Sequence, residues 1–135
     1  YSVDTLTVSD RETGETIQTI SIPELSYFGA THISIYDEDK GFSLEDVNFD
    51  GYLDIRLFDT YNGNYLIEWI YLVWDPQACR FVPDPQLNEI SLAVFDQEKQ
   101  LIYGMERSSA AEHSYYTYQY INGGPTLIAS EILSE

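Results

Sequence analysis

The chain has 135 residues, enough for one domain with a core, and its 44% hydrophobic content excludes a disordered polymer. Its 23 acidic residues against 6 basic ones give a net charge of −17. That balance excludes nucleic acid and anionic lipid as partners and favours cations and basic proteins. Many bacterial cell-wall hydrolases are basic, so an acidic binder of one makes electrostatic sense. The plainer reading is that acidity keeps a secreted domain soluble.

In chain order, the dominant period is two, the signature of strands. Thr5-Leu6-Thr7-Val8 alternates polar and apolar, as do residues 16–22 with one slip. Asp10 to Gly14 joins these runs as a hairpin, and Pro23 closes the second. His32-Ile33-Ser34-Ile35-Tyr36 is a third run, and residues 36–40 are the one plausible seam. Residues 52–58 read as a strand, followed by a turn at Asn62-Gly63-Asn64, where asparagine and glycine tolerate positive φ. Residues 65–74 are apolar on both faces apart from Glu68, as in a central strand covered on both sides. Arg80-Phe81-Val82 is a short strand broken by Pro83-Asp84-Pro85, with one helical turn expected over residues 86–90. Residues 92–95 and 101–106 flank a turn at 96–100. Residues 115–121 and 126–131 flank Asn122-Gly123-Gly124-Pro125. Short strands between regular turns predict an all-β antiparallel meander, whether sandwich, barrel or propeller-like. Residues 1–135 are expected to form a single domain.

The segment Asp46-Val47-Asn48-Phe49-Asp50-Gly51-Tyr52-Leu53-Asp54 carries the chemistry. Oxygen-bearing side chains stand at every second position and glycine at the sixth, the front half of a calcium loop. Asp46, Asn48, Asp50 and Asp54 can offer side-chain oxygens and Tyr52 its carbonyl, about five ligands for Ca2+ before water. The bidentate glutamate of a full EF-hand is absent, because its position holds Leu57, and the flanks read as strand. The loop therefore resembles the shorter calcium loops set between β-strands. Its affinity should be modest, on the order of 10⁻⁴–10⁻³ M, and its role structural. Without a cation the segment reduces to a polar hairpin turn at Asp50-Gly51.

Other residues are less specific. Cys79 is alone, makes no internal disulfide, and is expected to be a small buried residue. His32 and His113 lack zinc spacing and read as surface or packing residues. No nucleophile elbow or phosphate loop occurs, so binding is expected and catalysis is not. No stretch is long and apolar enough to span a membrane. A start at Tyr1 rather than Met fits removal of an export signal or lipid anchor. The small, polar segment from Arg107 to Tyr116 is too long and too poor in glycine for a tight hairpin. It reads either as an ordinary surface loop or as one shaped for a narrow cleft. Tyr116, Tyr118 and Tyr120 share a strand face, suited to core packing or to stacking on sugars.

Three blocks together resemble a family. They are residues 42–54, Trp74-Asp75 with Phe81-Val82, and Arg107-Ser108-Ser109-Ala110 with Tyr115-Tyr116-Thr117-Tyr118. Over residues 42–131 the chain is similar to the periplasmic calcium-binding immunity proteins that accompany type IV secretion effectors in xanthomonads. Those are related in fold to periplasmic lysozyme inhibitors. The resemblance implies an extracytoplasmic, propeller-like, calcium-stabilised lipoprotein or secreted domain. It also implies a protruding loop, here Ser108 to Tyr115, that blocks the cleft of a lysozyme-like peptidoglycan hydrolase. Ser108, Ser109, Glu112, His113 and Tyr115 would contact that partner. The loop lacks the glycine expected after its arginine-serine start. The competing expectation is a calcium-stabilised adhesion or glycan-binding module of the cell surface.

Overall fold

The computed structural model describes residues 2–3, 5–21, 33–34, 42–59, 68–107 and 109–134. The expected turn at Asn62-Gly63-Asn64, the seam at 36–40, Pro23 and His32 lie outside them. The described chain is almost all strand: β1 (Ser2–Val3), β2 (Thr5–Ser9), β3 (Thr16–Ser21), β4 (Ile33–Ser34), β5 (Phe42–Glu45), β6 (Asp54–Asp59), β7 (Glu68–Asp75) and β8 (Arg80–Pro83). One helical turn, α1 (Pro85–Asn88), precedes β9 (Val94–Asp96), β10 (Leu101–Arg107), β11 (Glu112–Ile121) and β12 (Gly124–Ser134).

Two antiparallel meanders dominate, β5-β6-β7-β8 and β9-β10-β11-β12. The pairs β2-β3 and β1-β4 complete the described ladders. Neither four-stranded sheet closes on itself, so the barrel among the expected architectures is not what forms; stacked open sheets are.

β7 explains the stacking. Ile70 and Leu72 join Ile55 and Leu57 of β6 on one face, packed with Ile20 and with Leu6, Val8 and Phe81. On the other face Tyr71 meets Val47, Leu87, Ile90, Ala93, Phe95 and Ile102, with Trp69, Val73, Tyr118 and Tyr120 around them. A strand apolar on both faces must be covered twice, and here it is: by β2 and β3 on one side, by α1 and the second sheet on the other. Each large aliphatic buried this way contributes about 1.5–3 kcal/mol.

The break after β8 follows from proline. Pro83 and Pro85 cannot continue the ladder, so Asp84 caps α1 by accepting the Gln86 N–H at 3.1 Å. Asn88 then accepts the Tyr71 N–H at 3.2 Å, a group that a longer β8 would have taken. Cys79 departs from expectation: it is exposed. The β7-β8 turn, held by Asp75 accepting from the Gln77 and Ala78 N–H groups, needs a left-handed residue at its end. Cys79 takes that place at φ 52° and turns its side chain to solvent.

The connection between α1 and β9 packs closely on β10 at Gly104. A Cβ there would lie 2.9 Å from Ile90 Cγ2 and 3.4 Å from the Ser91 carbonyl. The substitution Gly104→Ala should therefore lower unfolding free energy by about 1–3 kcal/mol, read by urea denaturation, and Ile90→Leu in the same chain, which removes the Cγ2 methyl, should recover part of the loss.

Candidate functional site

The loop between β5 and β6 has an inner and an outer side. Val47, fully buried, and Phe49 point into the core beneath β7. Asp46, Asn48 and Asp50 fall between them and gather on the other side. The two-residue spacing thus meets two demands, apolar plugs inward and oxygens together. The chain turns this sharply through positive φ at Phe49 (61°) and Gly51 (91°). A phenylalanine in the left-handed region costs on the order of 1 kcal/mol, and the loop holds that strain where its oxygens converge.

Carboxylate oxygens of Asp46, Asp50 and Asp54 lie within 4.8 Å of one another. The backbone preorganises them. Asp46 accepts the Asp50 N–H at 3.1 Å and the Gly51 N–H at 2.8 Å. Asp50 accepts the Tyr52 N–H at 3.0 Å. Asp54 is fully buried and accepts Val47 N–H at 2.9 Å and Trp74 N–H at 2.8 Å. Each carboxylate oxygen keeps a second lone pair after accepting one such bond. Asn48 donates through Nδ2 to Asp50 at 3.2 Å, which leaves its buried Oδ1 without a partner. Gln97, from the turn between β9 and β10, donates to the Asp46 carbonyl at 2.8 Å and ties the loop to the second sheet.

This donor set fits a hard cation. Three carboxylates and an orphaned amide oxygen are an oxygen-only array of the kind Ca2+ takes. Asp46, Asn48, Asp50 and Asp54 would hold the ion, which would cancel their mutual repulsion. Tyr52 sits between the last two ligands with its ring half exposed. Burial pushes the Asp54 carboxyl up to about 6, against the two backbone hydrogen bonds that pull it down, with smaller upward contributions from Asp50 and Asp46. Gln97 had no signature in the sequence, being 51 residues from the carbonyl it holds.

The expected partner loop is shorter than its sequence suggests. β10 runs to Arg107 and β11 starts at Glu112, with Arg107 opposite His113 and Met105 opposite Tyr115. Glu112, His113 and Tyr115 are therefore strand residues, because ladder pairing continues through polar side chains as readily as through apolar ones. Ser108 lies outside the described residues. The exposed turn at Ser109, Ala110 and Ala111 is bound inward: Arg107 Nε donates to the Ser109 carbonyl at 3.2 Å, and Ala111 N–H to Ser109 Oγ at 3.3 Å. Beyond it Ser114 turns inward and Tyr115, 39% exposed, turns outward, stacked against the His113 ring at 6.5 Å. The His113 Nδ1 is buried and has no hydrogen-bond partner.

The tyrosine face is turned in. Tyr118 and Tyr120 pack on the core, and Tyr120 donates to Asp84 Oδ2 at 3.2 Å. Tyr116 reaches Glu106 at 3.4 Å. Core packing is realised for Tyr118 and Tyr120, and cross-strand pairing for Tyr116.

No protein-family model and no curated protein matches the chain. Among solved structures, it is similar to one described as the structure of a Xanthomonas type IV secretion system related protein, at 22% identity and a TM-score of 0.60. The likeness covers 72% of this chain and 49% of that one, so this chain spans about half the length of that protein. At this identity the likeness is one of fold. Among the described residues, no helix is long and apolar enough to cross a membrane.

The raised Asp54 carboxyl sets a sign for pH in metal-free protein. Its contribution is fully present below the unfolded value near 4 and is lost as pH rises through about 6. A carbon-detected titration in chelator should place its midpoint near 6, and a midpoint near 4 would contradict the burial argument.

Proposed function

We propose that this chain is a calcium-stabilised, extracytoplasmic binding protein that blocks a lysozyme-like peptidoglycan hydrolase with the β10-β11 turn. The observation that carries the reading is the turn itself. Ser109, Ala110 and Ala111 form an exposed tip of small side chains, braced by Arg107 and flanked by the stacked pair His113 and Tyr115. Small side chains let such a tip enter a cleft, and an aromatic beside it supplies an anchor. The net charge of −17 draws a basic enzyme toward it. The fold likeness to a secretion-system related protein supports a role outside the cytoplasm. The glycan-binding alternative loses its main support, since Tyr118 and Tyr120 are committed to the core.

Calcium enters this reading as a clamp. The ion would neutralise Asp46, Asp50 and Asp54, fix Asn48, and hold Val47 and Phe49 in the inter-sheet core. Metal that binds only the folded state stabilises it by linkage. At 10 mM calcium and a dissociation constant of 0.1–1 mM, the gain is about 1–3 kcal/mol, or roughly 3–10 °C in the melting midpoint. Scanning calorimetry with calcium against chelator should show that rise, and Asp46→Ala should abolish the difference between the two conditions, whatever the loss of its bonds to the Asp50 and Gly51 N–H groups does to the chelated midpoint. A midpoint that ignores millimolar calcium would remove the metal from the reading.

Inhibition is tested by following clearance of a peptidoglycan suspension by lysozyme-like hydrolases at rising concentrations of the chain. Wild type should slow clearance, and Ala110→Trp should raise the half-inhibitory concentration at least about tenfold with an unchanged melting midpoint. No inhibition at large molar excess over every enzyme tried would sink the inhibitor reading.

A further inference from the structure

We propose that β12 is a docking edge on which an extended segment of a cationic protein adds as a fifth strand to the β9–β12 sheet. β12 is eleven residues long and outermost in its sheet, paired with β11 along one side. A strand carries pairing groups along both sides, and among the described residues no ladder takes those on the other side of β12. From Thr126 to Ser134 every residue is exposed. Leu127, Ile128, Ile132 and Leu133 are each about half exposed or more, at 51%, 48%, 65% and 48%.

These apolar residues stand on both faces. Ile132 pairs with the inward Ser114, and Leu133 pairs with His113 on the opposite face. An added strand would therefore find an apolar neighbour above and below its backbone, while the backbone supplies hydrogen bonds. Natural edges are usually blunted by lysine, by proline or by a bulge. β12 has no lysine, and its one proline is Pro125, its second residue. Its register shift falls opposite Thr117 and Tyr118, which leaves Ala129 to Ser134 in regular pairing with β11.

Charge selects the occupant. Between Arg107 and Glu135 there is no Lys or Arg, while Glu131 lies on β12 itself, Glu112 on the neighbouring β11 and Glu106 on β10 beyond it. A second copy laid along the same edge would bring two bodies of −17 together and set a Glu131-bearing edge against its equal. A strand rich in lysine or arginine meets attraction at the same place. This inference concerns a different element from the β10-β11 turn and stands or falls independently of hydrolase inhibition.

The test uses isotopically labelled protein and two synthetic decapeptides, one alternating lysine with valine and one alternating glutamate with valine. Amide exchange and shift changes are read residue by residue. The lysine peptide should protect amides between Thr126 and Ser134, bind about tenfold or more tighter than the glutamate peptide, and weaken as salt is raised. Ile132→Lys should abolish protection. Should that variant misfold, Glu131→Lys and the salt series on the unaltered chain give the same decision. Equal binding of both peptides, protection confined to other strands, or concentration-dependent protection of β12 without peptide would each overturn the proposal, the last in favour of a second copy.

Discussion

The structure depends on one buried carboxylate. Asp54 is the first residue of β6, has no solvent exposure, and spends both oxygens on backbone N–H groups, those of Val47 and Trp74. The first bond folds the β5-β6 loop over its own base; the second fastens that base to β7. Val47 and Phe49 then fill the core between the two large sheets. Removing a carboxylate from water is costly, and the two donors only partly offset that cost, as the rise of its pKa to about 6 records. A cation beside Asp46 and Asp50 would supply the remainder. Phe49 takes its left-handed φ of 61° in the same loop, with its ring packed on the core between Asn48 and Asp50.

Arg56 solves a similar problem one turn of the pleat away. Its guanidinium carbon lies 4.3 Å from the Trp69 ring centroid, 5.0 Å from Phe95 and 5.5 Å from Tyr71, with Glu45 at 2.9 Å. Arg56 also donates to the Ala93 carbonyl at 3.1 Å, just before β9. Three aromatic faces and one carboxylate let a permanent charge sit between two sheets, and the planar guanidinium suits stacking in a way an ammonium does not. One polar residue of β6 therefore organises the loop, and the next but one links the sheets.

What was legible in the sequence follows from how local each cause is. The loop at Asp46 to Asp54 was readable because its two-residue spacing, within nine residues, turns Val47 and Phe49 inward and brings the carboxylates of Asp46, Asp50 and Asp54 together. β7 was readable because a strand covered twice shows no polar face. Ladder extent was not readable at Glu112 to Tyr115, where polar side chains hid a strand whose reason lies in the partners Arg107 and Met105. Cys79 misled for a similar reason: its composition suggests burial, while the β7-β8 turn demands a left-handed residue there. Gln97 and Arg56 act across the sheets, and single-chain periodicity carries no trace of such partners.

The architecture also separates the candidate clamp from the proposed working tip. Gln97 sits in the turn that opens β10, and the exposed turn begins where β10 ends, at Arg107. Seven residues of strand put roughly 20 Å between those ends. An ion held by Asp46, Asp50 and Asp54 is thus too far away to touch anything bound at Ser109 to Ala111. Its influence on the tip must run through the rigidity of β10, which is pinned to Ser91 by the Met105 N–H at 2.9 Å and crowded by Ile90 at Gly104. Were an ion held there, its loss would loosen the seam between the sheets first and leave the β10-β11 ladder, which has its own cross-strand bonds, for last. That order would mark a structural clip and not a calcium switch, since a switch would need a second packing for β10, and the close approach of Ile90 and Ser91 at Gly104 holds β10 in the one it has.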